Sequence, residues 1–176
     1  MTRTIFTYGI LAGVIVAVCM AIGMSLGFDS GPWGMAVGYL GMLVALTMVY
    51  VGIRKYRNQE LGGAIRFPTA LGVGLGISAI ATLAYALGWE AYLYATDYRF
   101  MPDYIAATLE AKRAAGATPA ELAKLSADLQ GYLTMYENPV KRIPLTMSEI
   151  APVALLVTLI SAFLLRYPKG SKVAAA

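Results

Sequence analysis

The acidic side chains nearest an apolar segment are the residues best suited to chemistry in this sequence. Glu90 and Asp97 follow the apolar run at 67–89 and stand seven residues apart. If a helix continues outward through them, both carboxylates share one face, with Tyr94 between them. Ionisable groups within a membrane are candidates for binding cations or protons. We therefore take Glu90 and Asp97 as candidate functional acids, the alternative being a solvated helix extension.

A second candidate is the loop after the second apolar run, where Tyr56, Arg57, Gly63 and Phe67 stand among basic residues. Such a basic loop is typical of an anchor facing anionic lipid, at about 1 kcal/mol per charge. A specific ligand or partner site is the alternative.

Histidine is absent from the chain, and Cys19 is the one cysteine. This composition removes the commonest general base and most metal-site patterns. No nucleophile elbow, phosphate-binding loop or spaced carboxylate motif occurs. We expect no catalytic residue, metal or cofactor, although Asp, Glu, Tyr and Lys still permit acid–base work.

The composition of the chain indicates whether water or lipid surrounds these residues. Of 176 residues 59% are hydrophobic and 14% are charged, whereas a soluble domain carries about 25% charged residues. Four uncharged runs occupy 5–26, 31–53, 67–89 and 150–165, and about 20 residues cross a bilayer as a helix. The sequence predicts an all-α polytopic membrane protein with four transmembrane helices.

The predicted spans are 5–26, 33–53, 68–90 and 149–166, within a single membrane domain covering 1–176. The first run exceeds the apolar core of a cleavable signal, so we expect a retained span. For the short fourth run, Ser148 is predicted to cap the helix, with Glu149 in its first turn. Pro152 then falls at the fourth helical position, where its missing N–H is tolerated.

The polar section 98–148 between the last two spans has helical signals of its own. Thr118 and Glu121 form a predicted capping box, with Pro119 at the first helical position. A shorter helix over Pro102 to Ala115 is predicted before it, ending at Gly116. Apolar residues then recur every three or four positions, which predicts one apolar helix face: Leu122, Leu125, Leu129, Tyr132 and Tyr136. We expect an extracytoplasmic helical hairpin that packs on the bundle, the membrane surface or a partner.

The short loops predict the orientation, since positive charge concentrates on the cytoplasmic side. The first loop has no Lys or Arg, whereas the second carries Arg54, Lys55, Arg57 and Arg66. Both termini are therefore predicted to be cytoplasmic. Because basic residues flank the apolar runs instead of forming a stripe with aromatics, we expect no nucleic-acid partner.

Small residues at helical spacing predict close helix packing, because lipid supplies no hydrophobic drive between helices. They are expected to serve packing within the chain, or alternatively contact with itself or another membrane protein. These glycines are Gly9 and Gly13 in the first span, Gly34, Gly38 and Gly41 in the second, and Gly72 and Gly76 in the third.

Three short motifs resemble those of a known family. They are the Tyr56-Arg57 pair, the Gly62-Gly63 pair before Phe67, and Asn138-Pro139 before the last span. The chain is similar over nearly its full length to the bacterial domain-of-unknown-function family numbered 4199, small four-span membrane proteins. Asn58 stands where the resemblance leads us to expect an acid. The resemblance implies an inner-membrane location and brings no established activity or catalytic residue.

Three functional hypotheses follow from the sequence. The first is a non-enzymatic accessory, scaffold or assembly subunit whose hairpin and glycine-rich faces meet partners. The second is a small transporter or ion-coupled carrier that uses Glu90 or Asp97. A membrane enzyme is the third, and the missing histidine disfavours it.

Overall fold

The computed structural model describes residues 1–26 and 34–166. These residues form helices and connecting turns and contain no strand, which confirms the all-α class. The six helices in chain order are α1 (Thr2–Ser25), α2 (Gly34–Glu60), α3 (Phe67–Ala95), α4 (Phe100–Ala114), α5 (Pro119–Glu137) and α6 (Pro139–Leu165).

Four of the described helices are long and apolar enough to cross a membrane, which confirms the predicted number. The candidate membrane spans are Thr2–Met24, Ala36–Glu60, Phe67–Ala95 and Pro139–Leu165, each of which contains an apolar window. The chain divides into two compact units, one of residues 1–86 with the segment from Met147 onward, and one of Leu87–Thr146. Helices α3 and α6 each contribute residues to both units.

The larger unit is a bundle of α1, α2 and most of α3 and α6 around an apolar core. The largest fully buried apolar side chains in that core include Leu46, Ile53, Ile77 and Ile150. On α1, large exposed apolar side chains recur every four residues, a spacing that places them along one helix face: Phe6, Ile10, Val14, Val18 and Ile22. This face suits contact with lipid acyl chains.

Glycines let α1 approach α3 closely. A Cβ added at Gly9 would lie 2.6 Å from the Ile80 Cβ, and one at Gly13 would collide with the Ala84 Cβ. Since real Cβ atoms do not approach so closely, the distance between these helices depends on both glycines.

The other predicted packing glycines divide into close and open positions. A Cβ added at Gly41 would lie 3.0 Å from the Cys19 Cβ, and one at Gly76 would lie 2.9 Å from Ile5 Cδ1. By contrast, one at Gly38 or Gly72 would meet nothing within 4 Å among the described atoms. Gly34 is the first residue of α2, and its surroundings lie outside the described part of the chain.

Gly52 and Gly74 are two further positions of close helix contact. A Cβ added at Gly52 would lie 2.5 Å from Ile77 Cδ1, and one at Gly74 would lie 2.7 Å from Thr158 Cγ2. These positions bring α2 and α6 against α3, so α3 packs closely against three helices.

The predicted start of the fourth span is wrong as a helix boundary. Helix α6 begins at Pro139, so Ser148 is an interior residue and Pro152 is not in the first turn. The cap is Asn138, whose Oδ1 accepts the Val140 N–H at 2.9 Å. Proline at the first helical position is favourable because its missing N–H would be unpaired there anyway. The polar section therefore contains two hairpin helices and the opening turns of α6.

Helices α4 and α5 lie in the smaller unit. The predicted capping box is confirmed: the Thr118 hydroxyl accepts the Glu121 N–H at 3.3 Å, and the Glu121 carboxylate accepts the Thr118 N–H at 2.8 Å. Gly116 ends the preceding turn with φ of +85°. On α5, Tyr132 is exposed and Leu133 is half-buried, so Leu133 replaces Tyr132 on the predicted apolar face.

Candidate functional site

An ion pair between Glu90 of α3 and Arg142 of α6 is the most highly organised polar contact of the smaller unit. Arg142 Nε donates to Glu90 Oε1 at 2.7 Å, and Arg142 Nη2 donates to Glu90 Oε2 at 2.6 Å. The Arg142 side chain is 3% exposed and that of Glu90 is 22% exposed. This two-bond geometry matches the planar guanidinium to the planar carboxylate.

The remaining surroundings of Arg142 also suit a buried cation. Its Nη1 donates to the Tyr136 carbonyl oxygen at the end of α5. Its guanidinium carbon lies 5.2 Å from the centre of the Tyr98 ring and 5.9 Å from that of Tyr136, which adds cation–π attraction. A buried charge is tolerated when its hydrogen bonds are satisfied. Arg142 therefore links α3, the end of α5 and the first turns of α6.

An aromatic cluster extends this contact toward α4. Trp89 Nε1 donates to the Tyr136 hydroxyl at 2.5 Å. The Trp89 and Phe100 rings meet edge to face, with centroids 4.7 Å apart, and the Phe100 and Tyr104 rings stack at 6.2 Å. Such contacts supply apolar packing to helices with little core of their own. The cluster fixes the start of α4 beside α3 and α5.

The two candidate acids do not share a helix face. Helix α3 ends at Ala95, and the next residues turn sharply, with positive φ at Asp97 (52°) and Tyr98 (55°). Asp97 is exposed in this turn, whereas Glu90 lies within the helix and binds Arg142. The predicted shared face is wrong because the helix stops before it reaches Asp97.

The loop motif lies at the end of the larger unit that carries the start of α1 and the end of α6. Arg57 Nη1 donates to the Leu165 carbonyl oxygen at 3.4 Å, where a cation favours the negative end of a helix. Arg57 Nε also donates to Asn58 Oδ1 at 2.9 Å. Tyr56 and Phe67 are half-buried against the bundle core. The motif thus joins the end of α2 to the end of α6.

The backbone conformation explains why two glycines occur in this motif. Gly62 has φ of +66° and Gly63 has φ of +101°, a region that other residues rarely adopt. The Gly63 N–H donates to the Arg57 carbonyl oxygen at 2.9 Å and closes the turn. Nearby, Glu60 accepts hydrogen bonds from the Thr4 hydroxyl and from the Met1 amino group, each at 2.7 Å.

Two polar contacts between α3 and α6 in the larger unit were not predicted. The Ser78 and Thr158 hydroxyls lie 2.8 Å apart in a buried position. The Tyr85 hydroxyl donates to Glu149 Oε2 at 3.2 Å. These pairs join residues about 60 to 80 positions apart, so only helix packing reveals them. Among residues 1–26 and 34–166, no group of three or more Cys, Asp or Glu side chains is arranged to hold a metal ion.

Four apolar helices in an all-helical chain define an integral, multi-pass α-helical membrane protein. The chain belongs to the family described as Protein of unknown function (DUF4199), whose model matches residues 7–167. The family assignment from the loop motif is thereby confirmed. No curated protein and no solved structure matches the chain.

Proposed function

We propose that this membrane protein is a non-enzymatic accessory or assembly subunit that binds a partner membrane protein through its hairpin. The observation that carries the proposal is a set of large apolar side chains left exposed on the smaller unit. Tyr132 is 54% exposed and Met135 is 46% exposed on α5. Exposed apolar side chains outside a lipid-crossing segment are typical of interaction surfaces.

The way the hairpin is held supports this proposal. Tyr132 and Met135 are three residues apart on α5 and therefore share one face. Tyr136, one helical turn after Tyr132, is half-buried and is bound by Trp89 and Arg142. A surface held by a buried ion pair changes little on binding, so less conformational entropy is lost.

A cross-linking experiment tests the proposal. Benzoylphenylalanine at Tyr132 or Met135 should cross-link to a membrane protein that also co-purifies at fixed stoichiometry after gentle extraction. The same reagent at exposed Lys124 on α5 is the matched control. The double substitution Tyr132→Ala and Met135→Ala should remove the partner, whereas Lys124→Ala should retain it. A protein extracted alone and monomeric, with no cross-link at either position, contradicts the accessory role.

The proposed location is the bacterial inner membrane, with both termini in the cytoplasm and the hairpin outside. The basic loop supports it: Arg54, Lys55, Arg57 and Arg66 lie between the second and third spans. Two reporters fused after the last residue test the orientation, one active only in the cytoplasm and one active only in the periplasm. The cytoplasmic form should be active. Activity only in the periplasmic form would reverse the orientation.

The second hypothesis, an ion-coupled carrier, assigns its chemistry to Glu90 or Asp97. The two-bond contact of Glu90 with Arg142 favours a structural role for Glu90 instead. The Glu90→Gln and Asp97→Asn double variant, reconstituted in liposomes, tests the assignment. Loss of proton-linked or cation-linked flux supports it, and unchanged flux rejects both acids.

A further inference from the structure

The contact between Tyr85 and Glu149 lies within the larger unit and joins the two helices that continue beyond it. Tyr85 is half-buried against the bundle core, and its hydroxyl donates to Glu149 Oε2 at 3.2 Å. Glu149 is exposed on the bundle surface. Its carboxyl therefore meets the surroundings of the bundle on one side and a neutral phenol on the other.

The depth of this contact follows from helix length. Glu149 precedes Arg166 by seventeen residues, which is about 26 Å at a rise of about 1.5 Å per residue. Tyr85 follows Arg66 by nineteen residues, or about 29 Å. The hydrocarbon core is about 30 Å thick, and tilt of about 20° draws the contact further inward. With Arg66 and Arg166 at one boundary, the pair lies at the opposite edge of the hydrocarbon.

Helices α1 and α2 bring no charge to that level in their described residues. The charged residue of α1 is Arg3, and the first charged residue of α2 is Arg54; both lie at the end of the bundle remote from Glu149. Asp29, between these helices, lies outside the described residues. An ionised carboxylate next to hydrocarbon is unfavourable unless something neutralises it.

Helices α3 and α6 supply few other charges. The charged residue of α3 is Glu90, five positions after Tyr85 and already bound to Arg142. On α6 the cations before Glu149 are Lys141 and Arg142, and Lys141 is eight residues away, or about 12 Å along the helix. A proton is therefore the most economical means to neutralise Glu149.

We propose that Glu149 and Tyr85 form a proton-binding site at the edge of the hydrocarbon layer, between α3 and α6. The carboxylate takes up a proton from the adjacent aqueous phase, which forms an O–H bond, and that bond breaks when the proton returns to the same phase. Tyr85 positions the carboxyl by donating its hydroxyl hydrogen to Oε2. The site needs no partner protein, so its test is independent of the proposed accessory role.

Carbodiimide labelling of the full chain in liposomes tests the site. Dicyclohexylcarbodiimide is apolar and adds to protonated carboxyl groups, and peptide mass spectrometry locates the adduct. At pH 7 we expect Glu149 to react at least about tenfold faster than exposed Asp128 of the hairpin, and its rate to fall as the pH rises to 9. A water-soluble carbodiimide should reverse the order. A Glu149 rate equal to that of Asp128, or one independent of pH, overturns the proposal.

Two variants sharpen the assignment. Glu149→Gln must lose the adduct from its peptide, and a persistent adduct would assign the reaction to another residue and overturn the site. Tyr85→Phe removes a hydrogen bond that favours the ionised carboxylate, so labelling should persist to higher pH. Tyr104→Phe is the matched control and should leave the profile unchanged. A Tyr85→Phe profile identical to the original removes Tyr85 from the site.

Discussion

The two compact units bury different kinds of polar group. Among the described residues, the buried polar groups of the larger unit are hydroxyls, namely Thr4, Ser78, Thr82, Thr158 and Ser161, whereas those of the smaller unit are Arg142 and Thr146. Small hydroxyl side chains fit between closely spaced helices, where they hydrogen-bond to groups on the neighbouring helix. A buried arginine requires a carboxylate and several acceptors.

The contrast follows from how much apolar surface each unit has to bury. All residues of α4 and α5 are described, and none is fully buried. The smaller unit therefore relies on the Glu90–Arg142 pair and on rings such as Trp89 and Phe100. In the larger unit, close glycine contacts and a continuous apolar core serve the same purpose. The smaller unit thus uses a buried ion pair where the larger unit uses apolar packing and buried hydroxyls.

Removal of the buried cation should have the largest effect. Arg142→Met leaves Glu90 without its partner, so we expect the smaller unit to lose about 3 kcal/mol, near the lower end for a broken buried pair. Hydrogen exchange of α4 and α5 measures the loss. Arg113→Met is the control, because the Arg113–Glu110 pair is exposed and such pairs contribute at most about 1 kcal/mol. Equal losses of exchange protection in the two variants would mean that the buried and the exposed ion pair contribute equally to stability.

Overpacking the glycine contact should have the next largest effect, confined to the larger unit. Gly13→Ala forces a Cβ against Ala84, so we expect a loss of about 1–3 kcal/mol in unfolding from bilayers. Gly38→Ala is the matched control, since its added Cβ meets no described atom within 4 Å and alanine favours helix. Equal losses for both variants would refute close packing at Gly13.

A smaller and pH-dependent effect is expected at the hairpin. The Thr118 N–H and hydroxyl bind the Glu121 carboxylate, which lowers the pKa of Glu121 below its ordinary value of 4.5. A lowered pKa means that this stabilisation is complete above pH 4.5 and is lost as the pH falls through the folded value. Exchange protection at the start of α5 should therefore weaken on acidification.

The matched variants for the hairpin are Glu121→Gln and Thr118→Val. Glu121→Gln should remove the acid dependence of protection, because glutamine does not titrate. Thr118→Val should accelerate exchange about fivefold near neutral pH, the size of a lost threonine cap. An acid dependence that survives Glu121→Gln would show that another group controls the hairpin.

The smallest expected effect belongs to the hydroxyl pair of the larger unit. Ser78→Ala removes the 2.8 Å contact with Thr158, and hydrogen bonds between membrane helices average about 0.6 kcal/mol. Unfolding from bilayers should measure a loss of that size. A loss as large as that of Arg142→Met would mean that hydroxyls and buried charges contribute alike, contrary to the comparison.

Local sequence signals predicted those features that depend on nearby residues. The capping box at Thr118 and Glu121 and the turn at Gly116 follow from spacings of a few positions. The sequence does not reveal the start of α6, because the Ser148-Glu149 pair has the features of a helix cap although Asn138 is the actual cap. Asn138 follows α5 directly, so no loop marked the boundary.

The partners of the charged residues could not be predicted. Glu90 and Arg142 are 52 positions apart, and Tyr85 and Glu149 are 64 apart. No local pattern indicates which acid on one helix faces which donor on another. In the sequence, Arg142 is one of several basic residues of the polar section, although it is the most deeply buried charge described.

The sequence alone determined that this chain has four helices long and apolar enough to cross a membrane, because apolar length and the need to satisfy backbone hydrogen bonds within each segment are local properties. Tertiary structure alone decided which glycines are close contacts, that Glu90 is neutralised by Arg142, and that Glu149 contacts Tyr85. Those outcomes depend on the rotation and depth of one helix against another, which many distant side chains determine together.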